Sequence, residues 1–372
     1  MRIQPHHIIL FLLLVTACKQ NYNPPAIAHP PGYLVLEGFV CNDGKDSTIF
    51  TLSRTVPLND SAAYTPVTDA AVTLEDSTGH IYPLAQTQKG TYFFPPYPFS
   101  NTTKYRLRFH SGNNEYASDY FPLVASPPID SITWIRSDDP LHLGVTISAS
   151  THDPQNNTHY YRWACEETWK YHVKYYANVY WDGSNIQLLF VNDKYYCWTS
   201  DNSNSIVLAS SIQLSQDLIY KNPIIQIPLN SQKLQIRYSV LVKQYALTKE
   251  AFEWWQILQK NTEQIGSIFG VQPAGNNGNL HCLTDTSQKV IGFAGGGNIQ
   301  RQRIFISNDD VLPWTYEDDC IHVDSPNTAI PIYFSRGYLL VEPLSPSSIR
   351  MSHNYCVDCT LTGTNIQPSF WQ

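Results

Sequence analysis

The chain has 372 residues, a formal net charge of -7, and 15% charged against 13% aromatic residues. No block of lysine and arginine suits a phosphate backbone, which argues against nucleic acid as a partner. The length exceeds what one core usually serves, so two domains are expected, and 24 tyrosines among few charges favour sheet over helix bundles.

At the N-terminus, Arg2 precedes the apolar run Ile8 to Val15. That run is too short to span a bilayer, which needs about 20 residues, and reads as a secretory leader. Val15-Thr16-Ala17-Cys18 matches a lipobox, so residues 1–17 are expected to be removed and Cys18 acylated. No later stretch reaches the length of a spanning helix. Residues 18–32 carry four prolines and no apolar period. They read as an extended tether, reaching ~40 Å at ~3.1 Å per residue.

From Tyr33 to residue 125 the chain reads as short strands and turns. Leu34, Leu36 and Val40 alternate, Asn42-Asp43-Gly44 offers a turn, and Thr48–Leu52, Ala71–Leu74 and Gly90–Phe94 follow. Tyr105, Leu107 and Phe109 alternate with Lys104, Arg106, Arg108 and His110, a basic stripe that reads as a solvated outer face. Regular short strands predict an N-terminal β-sandwich. Ala125-Ser126-Pro127-Pro128 reads as a linker into a larger β-rich, sandwich-like domain over residues 126–372, opened by a strand at Ile129–Trp134.

Residues 160–198 hold thirteen aromatic side chains. Apolar residues occupy the odd positions from Tyr161 to Trp181, which predicts two strands or one bent strand with a core face. Cys165 lies on that face as a small hydrophobe. Glu167 is the one ionisable residue there, held by a basic partner or contacting a ligand in a cleft. Leu234 to Val242 alternate as another strand. A helix is predicted near 248–266, with Thr248 as N-cap, Glu250 in the first turn, and Ala251, Trp254, Trp255 and Leu258 at helical spacing.

Seven cysteines remain after Cys18. In an oxidising compartment Cys197, Cys282, Cys320, Cys356 and Cys359 are disulfide candidates, with a tail cysteine bonding Cys197, Cys282 or Cys320. Cys165 is the candidate free thiol. Cys356-x-x-Cys359 beside His353 could hold zinc, but a disulfide is preferred and no metal or cofactor is expected. Gly292 to Gly297 lacks a βαβ frame and reads as a loop or bulge. No serine elbow, zinc helix or phosphate loop is present.

The pairing of the lipobox with Tyr160-Tyr161-Arg162-Trp163, Glu166-Glu167-Thr168-Trp169, Cys197-Trp198, Val242–Ala251, Asn261–Gln264, Gly278-Asn279-Leu280, Val290–Phe293 and the tail Cys356 to Trp371 is specific. This set resembles the Bacteroidota lipoprotein family catalogued as domain of unknown function 4249. The resemblance implies an outer-membrane lipoprotein, often encoded near TonB-dependent receptors, with no catalytic residues to carry over. It also implies an immunoglobulin-like or transthyretin-like N-terminal module. Lys19 to Asn23 lack the acidic residues that often mark surface export in that phylum, so either leaflet of the outer membrane fits.

The expectation is a non-enzymatic binding or accessory protein, anchored by lipid and partnering a TonB-dependent transporter as solute capture or lid. Tyr176, Tyr180, Trp198 and Glu167 are the candidate contacts for a solute, glycan, peptide or partner. The alternatives are an extracytoplasmic hydrolase of glycans or peptides, and a structural envelope lipoprotein.

Overall fold

The computed structural model describes residues 32–56, 64–139, 143–263 and 278–371. The leader, Cys18 and the tether up to residue 31 lie outside the described residues. The chain is mainly β, as its composition predicts.

The first group of strands is β1 (Leu34–Cys41), β2 (Thr48–Arg54), β3 (Thr65–Pro66), β4 (Ala71–Asp76), β5 (Ile81–Gln88), β6 (Thr91–Phe94), β7 (Lys104–Ser111), β8 (Asn114–Ser118) and β9 (Phe121–Val124). Alternate residues such as Leu36, Phe50, Leu52, Leu107 and Phe109 turn inward to one core. Outside, Arg106 meets Glu75 at 2.7 Å and Arg108 pairs with Glu75 and Glu115. The basic stripe is thus neutralised on an outer face, as its alternation implies.

This group is a closed barrel and not the open two-sheet sandwich expected. Strands β7, β4, β5, β6, β2 and β1 follow one another in the sheet, and β7 also pairs with β9. The gap between β1 and β9 is filled by a strand from much later in the chain, Gly296–Gly297, parallel to both. Eight strands therefore form a ring. Nearby, Leu280–Cys282 adds to β8, and Val290–Gly292 runs parallel to β1. Leu280 and Val290 enter the same core.

Glycine makes this closure possible. A Cβ on Gly297 would lie 2.0 Å from the Val124 carbonyl oxygen, and one on Gly292 2.2 Å from that of Leu36. The segment read as a loop is a loop only at residues 293–295, its ends belonging to two short strands, and residues 280–297, grouped by sequence with the second domain, complete the first sheet.

The later strands are β10 (Ile129–Ser137), β11 (Gly144–Asp153), β12 (Tyr160–His172), β13 (Val179–Trp181), β14 (Ile186–Leu188), β15 (Tyr196–Asn202), β16 (Val207–Ser210), β17 (Asp217–Pro228), β18 (Arg237–Ala246), the three returning segments β19 (Leu280–Cys282), β20 (Val290–Gly292) and β21 (Gly296–Gly297), then β22 (Ile299–Ser307). A three-stranded sheet, β10-β11-β17, faces a five-stranded one, β15-β12-β18-β22 with β16 also on β12. They share a core of Val145, Ile147, Trp163, Cys165, Ile227, Tyr238, Val240, Val242 and Ile306. The predicted odd-position parity holds along β12, where Tyr161, Trp163, Cys165, Glu167 and Tyr171 are all buried. Leu234 is buried too, but in a 3-10 turn capped by the Ser231 side chain and not in the strand expected.

Between barrel and sheets, the proline linker is clamped. Buried Gln244 accepts from Trp163 Nε1 (3.1 Å) and donates through Nε2 to Pro127 O (2.8 Å) and Thr151 Oγ1 (3.1 Å). Asn298 Oδ1 accepts from the Ser126 N–H at 2.7 Å.

Helix α1 spans Lys249–Glu263. The Thr248 hydroxyl accepts from the Ala251 N–H at 3.2 Å, the cap expected. Its Ala251 and Phe252 are buried against the outer face of the five-stranded sheet, with Phe252 and Tyr160 rings 5.0 Å apart. Among the described residues no helix is long and apolar enough to cross a membrane.

The C-terminal strands β23 (His322–Pro326), β24 (Tyr338–Ser345) and β25 (Ser348–His353) form a small sheet in the order β23-β25-β24. The β13–β14 hairpin docks on it, sharing a cluster of Val179, Ile330, Leu340, Ile349 and Met351. Disulfides Cys197–Cys359 and Cys320–Cys356 fasten this tail, as the cysteine reading anticipates. Cys282 is not paired; with Cys41 and Cys165 it is a buried free thiol.

Candidate ligand-binding cleft

Where α1, the outer face of the five-stranded sheet and the barrel rim meet, they enclose a cavity of about 550 Å³. Each wall follows from local geometry. On β12 the core takes Tyr161 and Trp163, so the residue between them, Arg162, faces the opposite side, toward α1. Tyr245 sits directly across from Arg162 on β18. On α1, Trp254 and Trp255 are neighbours about 100° apart around the helix axis. Trp255 turns toward the sheet and Trp254 toward Phe293 of the returning segment. From the barrel, β1 contributes Glu37 and Phe39, whose ring meets Tyr245 edge-on at 5.2 Å.

Arg162 dominates the electrostatics. Its guanidinium carbon lies 3.9 Å from the centroid of Trp255 and 5.2 Å from that of Tyr245. The Nε is buried with no hydrogen-bond partner, and no carboxylate lies within ion-pair distance among the described residues. Burial pushes the guanidinium pKa below its ordinary value, with Tyr245 and Glu37 opposing. Two other strand arginines differ: Arg301 reaches Asp46 at 2.6 Å, and Arg350 reaches Glu342 at 2.7 Å and Asp324 at 3.0 Å. Glu37, exposed on β1, is the carboxylate of the cavity wall.

The candidates named from sequence lie elsewhere. Glu167 is 5% exposed, accepts from Lys233 Nζ and Tyr238 OH at 2.7 Å each, and is a structural ion pair of the core. Burial, then Glu167, pushes the Tyr238 hydroxyl pKa well above its usual value. Trp198 is buried under the tail, its ring 6.2 Å from Trp371. Tyr176 and Tyr180 are exposed near the β13–β14 hairpin and do not line the cleft. The structure therefore does not bring these four together.

The model of the family described as domain of unknown function 4249 matches residues 19–303. The chain belongs to that family. No curated protein matches it. Within this member of domain of unknown function 4249, every residue named for the cleft falls inside the matched stretch. The tail that carries Cys320, Cys356 and Cys359 falls beyond it.

Sequence reasoning placed Arg162 on a wet strand face, because a second layer over that face is invisible to alternation alone. One sign was available. Adjacent tryptophans at 254 and 255 are too wide for a single buried stripe, and imply that α1 is covered on two sides.

Proposed function

We propose that this protein is a lipid-anchored envelope component, acylated at Cys18, that captures a solute in the cleft and serves a TonB-dependent outer-membrane transporter. The observation that carries this reading is the cleft itself. Its volume lies within the range of small-molecule sites, its walls carry several aromatic rings, and Arg162 lines it with a buried Nε that has no partner. The protein is read as a binder without catalysis, standing on either leaflet of the outer membrane.

Support for the anchor is the lipobox ahead of a proline-rich tether, which gives a soluble body reach beside a bilayer. The exposed Tyr176, Tyr180, Leu188 and Phe190, at the hairpin and the loop after it, are the proposed contact with the transporter, since such residues are enriched at protein interfaces. Purification of the native lipidated chain in mild detergent tests the proposal. A β-barrel protein should accompany it in near-equal amount; repeated isolation of the chain alone contradicts the partnership.

A further inference from the structure

We propose that the cleft selects a monoanionic aromatic carboxylate, its acid group held by the edge of Arg162 and its ring stacked among Trp254, Trp255 and Phe293. This rests on reading the cleft as the capture site and names the chemistry it takes.

Two rings approach the guanidinium, Trp255 at 3.9 Å and Tyr245 at 5.2 Å from its carbon. Its Nε–H is buried without an acceptor, and no carboxylate pairs with the side chain among the described residues. A cation held this way lacks the acceptor that buried charges normally have. A carboxylate matches the geometry of the fork, because two parallel N–H···O bonds can form at once. Phosphate would match too, but Glu37 on the barrel wall of the same cavity disfavours a second negative charge. The body of the ligand follows from the other walls. Trp254 lies 4.8 Å from Trp255 and 6.1 Å from Phe293, a corner of rings that a planar group fills by offset or edge contact. Gly295 leaves room beside them, since a Cβ there would meet only the Phe293 ring, at 3.9 Å.

The test uses the full mature chain and calorimetric titration with three compounds of one shape: phenylacetate, 2-phenylethanol and 2-phenylethylamine. Phenylacetate should bind at least tenfold more tightly than the alcohol, and the amine should give no heat. Arg162→Gln should lower phenylacetate affinity at least tenfold and leave the alcohol unchanged. Glu37→Gln should raise affinity for the dianion homophthalate several-fold. Equal binding of acid and alcohol by the native chain overturns the proposal, and so does unchanged phenylacetate binding in Arg162→Gln. If that variant fails to fold, the three-compound series on the native chain still decides. Absence of heat with all three removes this ligand class and leaves the transporter partnership, read by co-purification, intact.

Discussion

Glu167 and Arg162 are two charges five residues apart on one strand, and folding treats them in opposite ways. Glu167 faces the core and receives Lys233 and a tyrosine hydroxyl; Arg162 faces the cleft and receives only rings. Removing the carboxylate should therefore cost stability and nothing else. Glu167→Gln removes the charge that Lys233 pairs with and leaves only a neutral amide oxygen to accept from Lys233 and Tyr238, and should lower unfolding free energy by about 1–3 kcal/mol in urea titration while phenylacetate binding is unchanged. The odd-position pattern made the place of Glu167 legible. It could not do the same for Arg162, whose surroundings come from a helix and from β1.

Asp76 gives a pH signature at the same scale. Burial pushes its carboxyl up, but the Thr78 hydroxyl and N–H, the His80 N–H and the nearby imidazole outweigh this and hold it at about 2, below the ordinary range of an aspartate. The unfolded chain then binds more protons in this interval, so the contribution is complete above about pH 4 and is lost as pH falls toward 2. Urea midpoints between pH 5 and pH 2 should fall with acid in the native protein. Asp76→Asn should flatten that part of the slope.

At the level of elements, the cysteines and the glycines do different work. Burial pushes the Cys41 thiol up to about 11 and that of Cys165 to about 12. Both should resist iodoacetamide at pH 8 in the folded chain. After denaturation without reductant, alkylation of a chain beginning at Lys19 should mark Cys41, Cys165 and Cys282, and reductant should add Cys197, Cys320, Cys356 and Cys359; seven thiols free from the outset would contradict the disulfides. Joint replacement of Cys197 and Cys359 by alanine should cost about 2–4 kcal/mol, since that bond closes a loop of sequence separation 162.

Gly297→Val meets the Val124 carbonyl at the barrel seam. It should cost on the order of 2–3 kcal/mol and speed amide exchange in β9. The long helix, the alternating strands and the tail disulfides were readable because each carries its own local signal: a cap, a parity, a cysteine. Barrel closure was not. Its closing strand is two glycines, has no side-chain alternation, and pairs in parallel with elements far back in the chain.

At the scale of the whole molecule, the described residues join a barrel to a two-sheet body through the clamped linker, the Arg301 ion pair to the β1–β2 turn, and the rings around the cleft. The solute-capture proposal needs that junction, and the anchor proposal needs the leader, which lies outside the described residues. A fatty-acid probe should label the native chain and not Cys18→Ala, with the variant lost from the membrane fraction. Legibility at this scale was uneven. The motifs announced membership of domain of unknown function 4249, whereas the cleft arises between segments that no single stretch of sequence displays together.

Amide exchange of the full mature chain, with and without saturating phenylacetate, tests the cleft most directly. The account predicts slowed exchange confined to β12 near Arg162, the end of β18, α1 and the segment around Phe293. Protection centred on the hairpin near Tyr176 and Tyr180, or none anywhere, would contradict it.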